Sequence, residues 1–478
     1  MGAPMARPYG AGSWPPGAGL ILGPSAPVSP SGPVRPPPAR GPARPWTHPT
    51  REPPDETPVR HARRPPHPRR APPRHPAHRL GGPRRARHRR PHPGGRLPRP
   101  RPRLGHRRAL PRHHPGFRAE QYPPGGRGDQ DGARLGYFGG VRRPFSGRFL
   151  LYSAAGWDAG SRTTPVLLVH GANDNADRAW AAPDETGTCG ATGGAACPST
   201  GLAQYLAAGG HRVFAIGFAH QQGDNLLQAQ AVGDAIALIR ARLGVPQVDV
   251  VAWSKREVAA RAYVSSVRPS WGRAYAGDVR RLATLGGPNG GLDYVYAHGW
   301  AFSLATWPAC GGTADAPSPH LFMTCYGTYT AQPCLGVLPT GGYDCYPGQR
   351  QLLARWDGSY GVDGTAQDWW TTYYGGQGLY TAGQGIQAAI DAGSLIGPLQ
   401  RAGIPAAVRT YLLAGGSADI PGVLNENRGP GDGIVFTRSA LDTTGIGTVG
   451  GTRLLGGLNH LELAWAPDAM SQVAAWLA

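Results

Sequence analysis

Short apolar runs alternate with helical patterns between residues 165 and 413. The runs are rich in β-branched residues and end at glycine or polar positions, so they predict five buried strands: 165–169, 212–216, 248–252, 281–285 and 407–413. Between them we predict helices at 201–208, at 226–243 and from 255 to about 267, the second with apolar residues spaced for one face. Strands that alternate with helices indicate a mostly parallel sheet with helices on both faces, and hence an α/β fold.

A long irregular segment separates the fourth predicted strand from the fifth. It spans about residues 292–400, which exceeds an ordinary connection, so we expect a functional loop or a small cap subdomain. Of the chain's 40 aromatic residues, 17 lie between 294 and 380, among them Trp300, Trp307, Tyr326, Tyr329, Trp356, Trp369, Trp370, Tyr373 and Tyr374. These rings either form the core of the cap or are exposed to bind an apolar or polymeric substrate.

The first 135 residues have a different composition from the rest. They contain 33 of the 51 prolines and 27 of the 49 basic residues with only 6 acidic ones, a net charge of +21, whereas residues 136–478 carry a net charge of −1. Such Pro/Arg/His-rich sequence buries too little apolar surface to fold, so we expect a disordered tail at 1–135 and a folded domain at 136–478. Because the positive charge belongs to the tail, no specific nucleic-acid partner is expected for the domain.

The tail allows two interpretations. Lys255 is the only lysine beside 48 arginines, which indicates a GC-rich coding sequence, and arginine-rich runs arise when such DNA is read out of frame or upstream of the true start. We therefore hypothesise a mistranslated tail or a misassigned start. The alternative is a genuine basic arm that binds a polyanion, in which case binding weakens steeply with salt.

The cysteines indicate an oxidising compartment. All six lie after residue 136, in loops, without the paired spacing of a zinc or redox site: Cys189, Cys197, Cys310, Cys325, Cys334 and Cys345. We therefore expect disulfides, no metal site and a secreted protein, although no signal peptide is visible at Met1. No apolar run approaches the roughly 18 residues of a membrane span. The oligomeric state stays open.

Candidate catalytic residues follow the predicted strands, where open parallel sheets carry their active sites. Ser254 ends the third strand and opens a helix, the strand–turn–helix setting of a nucleophile elbow. A serine nucleophile needs a histidine base, and His460 is the only histidine after the fifth strand. Two residues compete as the acid that orients it. We prefer Asp432, in a Gly-rich loop before an Ile-Val pair, over Asp419, which lies closer to the strand.

Five segments in this order resemble the small secreted bacterial lipases of the α/β-hydrolase fold and the related extracellular polyhydroxyalkanoate depolymerases: TPVLLVHGANDNA at 164–176, VDVVAWSK at 248–255, GPNGG at 287–291, DGIV at 432–435 and NH at 459–460. The resemblance spans about 136–478 and implies an α/β-hydrolase fold with an aromatic-rich cap insertion. It supports Asp432 as the acid and implies an oxyanion hole made by the backbone N–H groups of Ala172 and Lys255.

The implied activity is hydrolysis of a carboxylic ester by Ser254, His460 and Asp432 through an acyl-enzyme, without a cofactor, on a lipid ester or an aliphatic polyester. One position departs from the family pattern. The residue two after the nucleophile is normally glycine because helix and strand approach closely there, and here it is Arg256. Its side chain must find an exit or push the elbow open, so the alternative is a catalytically impaired binding protein on the same fold.

Overall fold

The computed structural model describes fourteen stretches of the chain. They are 105–109, 120–122, 137–141, 143–172, 174–183, 189, 197–293, 296–298, 337–339, 342–361, 373–377, 382–420, 423–425 and 429–478. All of them belong to one compact unit, His92–Ala478. The rest of the tail predicted at 1–135 lies outside the described residues.

The described residues form twelve strands. In chain order these are β1 (Gly105–Ala109), β2 (Phe149–Ser153), β3 (Val166–Val169), β4 (Val213–Phe218), β5 (Val248–Trp253), β6 (Val279–Leu285), β7 (Tyr296–His298), β8 (Gly376–Gln377), β9 (Ala382–Gly383), β10 (Ile404–Gly415), β11 (Val423–Asn425) and β12 (Ile446–Leu455). Eight of them make one sheet in the order β1-β2-β4-β3-β5-β6-β10-β12. The six strands from β4 to β12 in this order are parallel. Strands β1 and β2 run antiparallel at one edge.

Nine helices are described: α1 (Ala176–Trp180), α2 (Leu202–Ala208), α3 (Asn225–Leu243), α4 (Lys255–Val264), α5 (Pro347–Arg350), α6 (Gly385–Asp391), α7 (Ile396–Ala402), α8 (Thr437–Ala440) and α9 (Pro467–Leu477). The longest, α3, shows how sequence sets the ends. Asp224 caps its first turn by accepting from the N–H groups of Leu226 (2.7 Å) and Leu227 (3.2 Å). Gly244 ends it in the left-handed conformation, with φ of 67°.

Two hydrophobic clusters cover the two faces of the sheet. One contains Val232 and Ile236 of α3 and Val258 of α4, together with the described core residues of the 292–400 segment. The other contains Trp180 of α1, Leu206 of α2 and Val473 of α9. Helices therefore lie on both faces, and the fold is the mostly parallel α/β sheet that the hydrophobic pattern predicts.

The five predicted strands and three predicted helices are confirmed with small shifts at their ends. Strands β1, β2 and β12 of the large sheet are not among the five predicted strands. Strand β12 lies at the edge of the sheet. Its residues are exposed or partly exposed, and three of them are glycines, so its sequence has no long apolar run that would predict a strand. No helix among the described residues is both long and apolar enough to cross a membrane.

Two described stretches before residue 136 contact the domain. Strand β1 lies inside the expected tail and pairs with β2 over five residues, from Gly105 opposite Ser153 to Ala109 opposite Phe149. Glu120 and Tyr122 also contact the domain: the carboxylate of Glu120 accepts from Asp224 N–H, and Tyr122 stacks on His220 with 4.4 Å between ring centroids. The amino-acid composition does not predict the pairing of β1 with β2, because backbone hydrogen bonds at a sheet edge need no apolar side chains.

The 292–400 segment is described in part. Trp356 and Tyr373 are buried, so these two rings belong to the core, whereas Tyr374 is exposed. The other six named rings lie outside the described residues, as do Cys310, Cys325 and Cys334.

Cys345 is disulfide-bonded. The expectation of disulfides is confirmed for Cys189 and Cys197, which are bonded to each other.

Candidate active site

The backbone at Ser254 adopts a conformation that serine rarely takes. Ser254 lies between β5 and α4 with φ of 59° and ψ of −139°, and the only other non-glycine residue with positive φ in the described chain is Ser266. Such a conformation costs on the order of 1–3 kcal/mol and persists only where the surroundings hold it. Here Ser254 N–H donates to Leu285 O (2.9 Å), and Ser254 O accepts from Glu257 N–H (3.0 Å). The sharp turn is thus held by β6 on one side and α4 on the other.

His460 lies beside the serine. It follows β12, and its Nε2 is 2.8 Å from Ser254 Oγ. Its backbone is held from two sides, because His460 N–H donates to Asp432 O (2.8 Å) and His460 O accepts from Trp253 Nε1 (3.1 Å). The Trp253 ring also packs on the imidazole with 5.8 Å between centroids. The histidine is 3% exposed, so its orientation is set by packing as well as by hydrogen bonds.

Of the two candidate acids, the structure brings Asp432 to the histidine. Asp432 Oδ2 is 2.8 Å from His460 Nδ1, and the residue is fully buried. Its other oxygen, Oδ1, accepts from the N–H groups of Ile434 (3.0 Å) and Val435 (2.7 Å). Asp419 is exposed on the surface, and its Oδ1 accepts from Asn459 Nδ2 at 3.3 Å. Asp419 therefore contacts the neighbour of the histidine and not the imidazole.

Glycine is required at two positions around these side chains. A Cβ on Gly286 would lie 3.0 Å from both Asp432 Oδ2 and His460 Nδ1, and φ is +54° there. A Cβ on Gly171 would lie 3.1 Å from Ser254 Cβ. Gly286 and Trp253 were not predicted as site residues, because their contributions depend on side chains and backbone from distant parts of the chain.

Of the two residues expected to form an oxyanion hole, Lys255 directly follows Ser254, and Ala172 directly follows Gly171, which lies beside Ser254. Ala172 follows Gly171 at the end of β3, and Lys255 is the first residue of α4. Within the described residues, neither N–H donates to a protein acceptor. The Lys255 side chain is buried, and its Nζ donates to Gly223 O, Asn225 Oδ1 and Gln228 Oε1, each at 2.7 Å. Burial, and next the charge of Arg256, lower the pKa of Lys255 well below its usual value.

Arg256 neither exits to solvent nor opens the elbow. It is fully buried, and its guanidinium lies under the loops that follow β3 and β4. Nη1 donates to His170 O (3.2 Å) and also to Gly171 O. Nη2 donates to Gln221 O (3.2 Å), and Cζ lies 4.5 Å from the centroid of the Phe218 ring. Since Ser254 and His460 keep their 2.8 Å contact, the arginine is accommodated inside the fold.

Two buried titratable groups surround the elbow and could not be recognised from sequence. Burial raises the pKa of Glu257 to about 7, with Arg261 opposing the shift, and neither carboxyl oxygen has a hydrogen-bond partner among the described residues. Burial, and next the charge of Arg256, lower the pKa of His170 well below its usual value. His170 is therefore neutral at neutral pH. In the described part of the chain, no three His, Cys, Asp or Glu side chains are arranged to hold a metal ion.

No known protein-family profile and no curated protein sequence matches the chain. Among solved structures, it is similar to the mature lipase BlEst2 of Bacillus licheniformis, with 13% identity, TM-score 0.34, and 69% of this chain and 98% of that chain covered. It is also similar to the carboxylesterase CesB of Bacillus subtilis, with 12% identity, TM-score 0.29, and coverage of 69% and 88%. Likenesses this distant assign no activity.

The class is defined by the chain's own architecture. The sheet order β1-β2-β4-β3-β5-β6-β10-β12, the strained turn that carries Ser254 between a strand and a helix, and the chain order serine, aspartate, histidine are those of α/β-hydrolases. The chain therefore has the α/β-hydrolase fold.

Proposed function

We propose that this protein is a serine hydrolase of carboxylic esters, with Ser254 as nucleophile, His460 as base and Asp432 as the acid that orients the base. The supporting observation is the chain of two 2.8 Å contacts, from Ser254 Oγ to His460 Nε2 and from His460 Nδ1 to Asp432 Oδ2. With Nδ1–H donated to the buried carboxylate, Nε2 is free to accept the serine proton.

The reaction would proceed in two halves. Ser254 Oγ attacks the carbonyl carbon while Nε2 of His460 takes the hydroxyl proton, and the carbonyl π pair moves to oxygen. Collapse of this tetrahedral oxyanion breaks the bond to the alcohol oxygen, which takes the proton from His460 and leaves an acyl group on Ser254. Water then attacks with Nε2 as base, and a second collapse returns the proton to Ser254 Oγ and releases the acid.

The negative oxygen in both halves would be stabilised by the N–H groups of Ala172 and Lys255. Their hydrogen-bonding capacity is unused within the described chain, and Lys255 N–H belongs to the N-terminus of α4, where the helix dipole favours negative charge. Removing one such donor typically costs about 10²–10³ in rate.

We propose a lipid ester or an aliphatic polyester as the substrate, because aromatic residues are concentrated between 294 and 380. The Cys189–Cys197 disulfide supports a site of action in an oxidising compartment outside the cytoplasm. Comparing triglyceride with solid polyester as substrates of the full chain would separate the two substrate classes.

The test is hydrolysis of p-nitrophenyl butyrate by the full chain made under oxidising conditions. Ser254→Ala should lower kcat by at least about 10⁴-fold with an unchanged unfolding temperature. Ser266→Ala is the matched control, because Ser266 also has a positive φ but is exposed and remote from His460; it should retain activity. A fluorophosphonate should label Ser254 and expel fluoride. A folded chain that neither hydrolyses the ester nor reacts with the probe would favour the non-catalytic binding protein.

A further inference from the structure

The guanidinium of Arg256 joins two loops that follow neighbouring strands. On the β3 side it donates to the carbonyl oxygens of His170 and Gly171, and on the β4 side to those of His220 (3.4 Å) and Gln221 (3.2 Å). A buried guanidinium is unfavourable without hydrogen-bond acceptors, so its geometry and that of the four carbonyls depend on each other. The side chain that replaces the usual glycine thus fastens the loop after β3 from inside the fold.

One of these contacts reaches the proposed oxyanion hole. The Gly171 carbonyl and the Ala172 N–H belong to the same peptide unit, which is planar and trans, so the two groups point in opposite directions. A donor that holds the Gly171 oxygen in the interior therefore also fixes the direction of the Ala172 N–H. Donation to the carbonyl oxygen further polarises the peptide and makes its N–H a stronger donor.

We propose that Arg256 is a positioning residue that orients and polarises the Gly171–Ala172 peptide, so that the Ala172 N–H is preset for the oxyanion. The inference rests on the proposed function of the Ser254 site. It is the opposite of the alternative drawn from the sequence, in which arginine at this position impairs the elbow. Here the cation acts through the peptide and does not itself touch the substrate.

Arg261 provides a matched control on the same helix. It is also buried, and it donates to Asn289 Oδ1 (3.2 Å) and Thr444 O (2.6 Å), away from the β3 loop. Replacing either arginine by methionine removes a buried guanidinium and retains much of the apolar stem. Both variants should lose stability, but only Arg256→Met should affect the oxyanion hole.

Three readouts on the full chain separate positioning from stability. For p-nitrophenyl butyrate, Arg256→Met should lower kcat by about 10²-fold with KM within about threefold, because the donor acts on the transition state. An alkyl boronic acid, which forms a tetrahedral adduct with the serine, should bind more weakly by a similar factor. Arg256→Lys should recover part of both losses, since an ammonium retains a charge and donors. Arg261→Met should keep kcat within about threefold.

Amide hydrogen exchange gives a readout that needs no turnover. Exchange of the backbone amides in β3 and in the loop that follows it should quicken in Arg256→Met and not in Arg261→Met. Equal exchange in both variants, or kcat losses that follow the fall in unfolding temperature in both, would overturn the inference. Higher activity in Arg256→Gly than in the natural chain would also overturn it, while upholding ester hydrolysis. Failure of the Ser254 probe reaction in the natural chain would instead reject the proposed function.

Discussion

Replacing Asp432 by asparagine reverses one hydrogen bond with little change of shape. The two carboxylate oxygens have different partners: Oδ1 accepts from two backbone N–H groups, of Ile434 and Val435, and Oδ2 faces His460 Nδ1. In Asp432→Asn the amide oxygen must take the Oδ1 position, because an NH₂ group there would oppose two donors. The amide NH₂ then faces Nδ1, which must become an acceptor, so the imidazole proton moves to Nε2. That nitrogen can no longer accept the proton of Ser254.

The size of the effect follows from the two ways in which the variant can respond. With the wrong tautomer, the corresponding substitution in a Ser-His-Asp protease lowers kcat about 10⁴-fold, or about 5 kcal/mol. Flipping the amide restores the tautomer but leaves two buried N–H groups opposed, which costs about 1–3 kcal/mol each. At the lower limit of about 1 kcal/mol for each N–H group, the flip costs about 2 kcal/mol, which corresponds to a loss of kcat of roughly 30-fold. We expect a loss of kcat between about 30-fold and 10⁴-fold.

The assay is kcat for p-nitrophenyl butyrate, with thermal unfolding to show that the variant is folded. Asp419→Asn is the matched control, since Asp419 is an exposed aspartate near the site whose oxygen contacts only Asn459 among the described residues. It should keep kcat within about threefold. If kcat of Asp432→Asn falls by less than about tenfold, Asp432 does not set the tautomer of His460. A large loss of kcat in Asp419→Asn at the same time would point to Asp419 as the acid.

Two further predictions concern buried polar groups. Burial raises the pKa of Glu257 from 4.5 to about 7, so the folded chain binds the carboxyl proton more tightly than the unfolded chain does. The stability that this proton contributes is therefore fully present below pH 4.5 and is lost as the pH rises to about 7. In urea titrations, Glu257→Gln should reduce the fall in unfolding free energy over this interval by up to about 3 kcal/mol, whereas exposed Asp158→Asn should leave the slope unchanged. Tyr263→Phe removes a hydroxyl that donates to both oxygens of buried Asp278 (2.8 and 2.9 Å). Among the described residues, Arg240 then remains as the partner of this carboxylate, so the unfolding free energy should fall by about 1–3 kcal/mol. A change under about 0.5 kcal/mol would contradict this.

The part of the fold that sequence predicts is the part with strong hydrophobic contrast. Strand β5 is buried at every position and gives a continuous apolar run broken only by Asp249, which pairs with Arg280 (2.9 Å). Strand β1 has the sequence Gly-His-Arg-Arg-Ala and pairs with β2, yet this sequence has no apolar pattern that would predict a strand. The apolar pattern therefore misses a polar edge strand such as β1, although β2, which has a buried apolar run at Phe149–Ser153, is also absent from the predicted strands.

For the candidate site, chain order carried most of the information. Parallel strands end at one edge of the sheet, so residues that directly follow β5, β10 and β12 must meet there, whatever their separation in sequence. This is why Ser254 and His460, 206 residues apart, could be paired before their 2.8 Å contact was known. Choosing between Asp419 and Asp432 needed the geometry of one loop, because both follow the same strand.

The first turn of α4 contradicts the rule that charged residues stay at the surface. Lys255, Arg256 and Glu257 are consecutive, and each is at most 1% exposed. They are accommodated in three ways: the lysine by three oxygen acceptors, the arginine by backbone carbonyls and an aromatic ring, and the glutamate by a pKa of about 7 that favours its neutral form. The Arg256 cation lies in this first turn, and its charge adds to the helix dipole near the point where the proposed oxyanion would form. A turn built for stability alone would place apolar residues here, and this concentration of buried charged side chains fits the proposed stabilisation of an anion at Ser254.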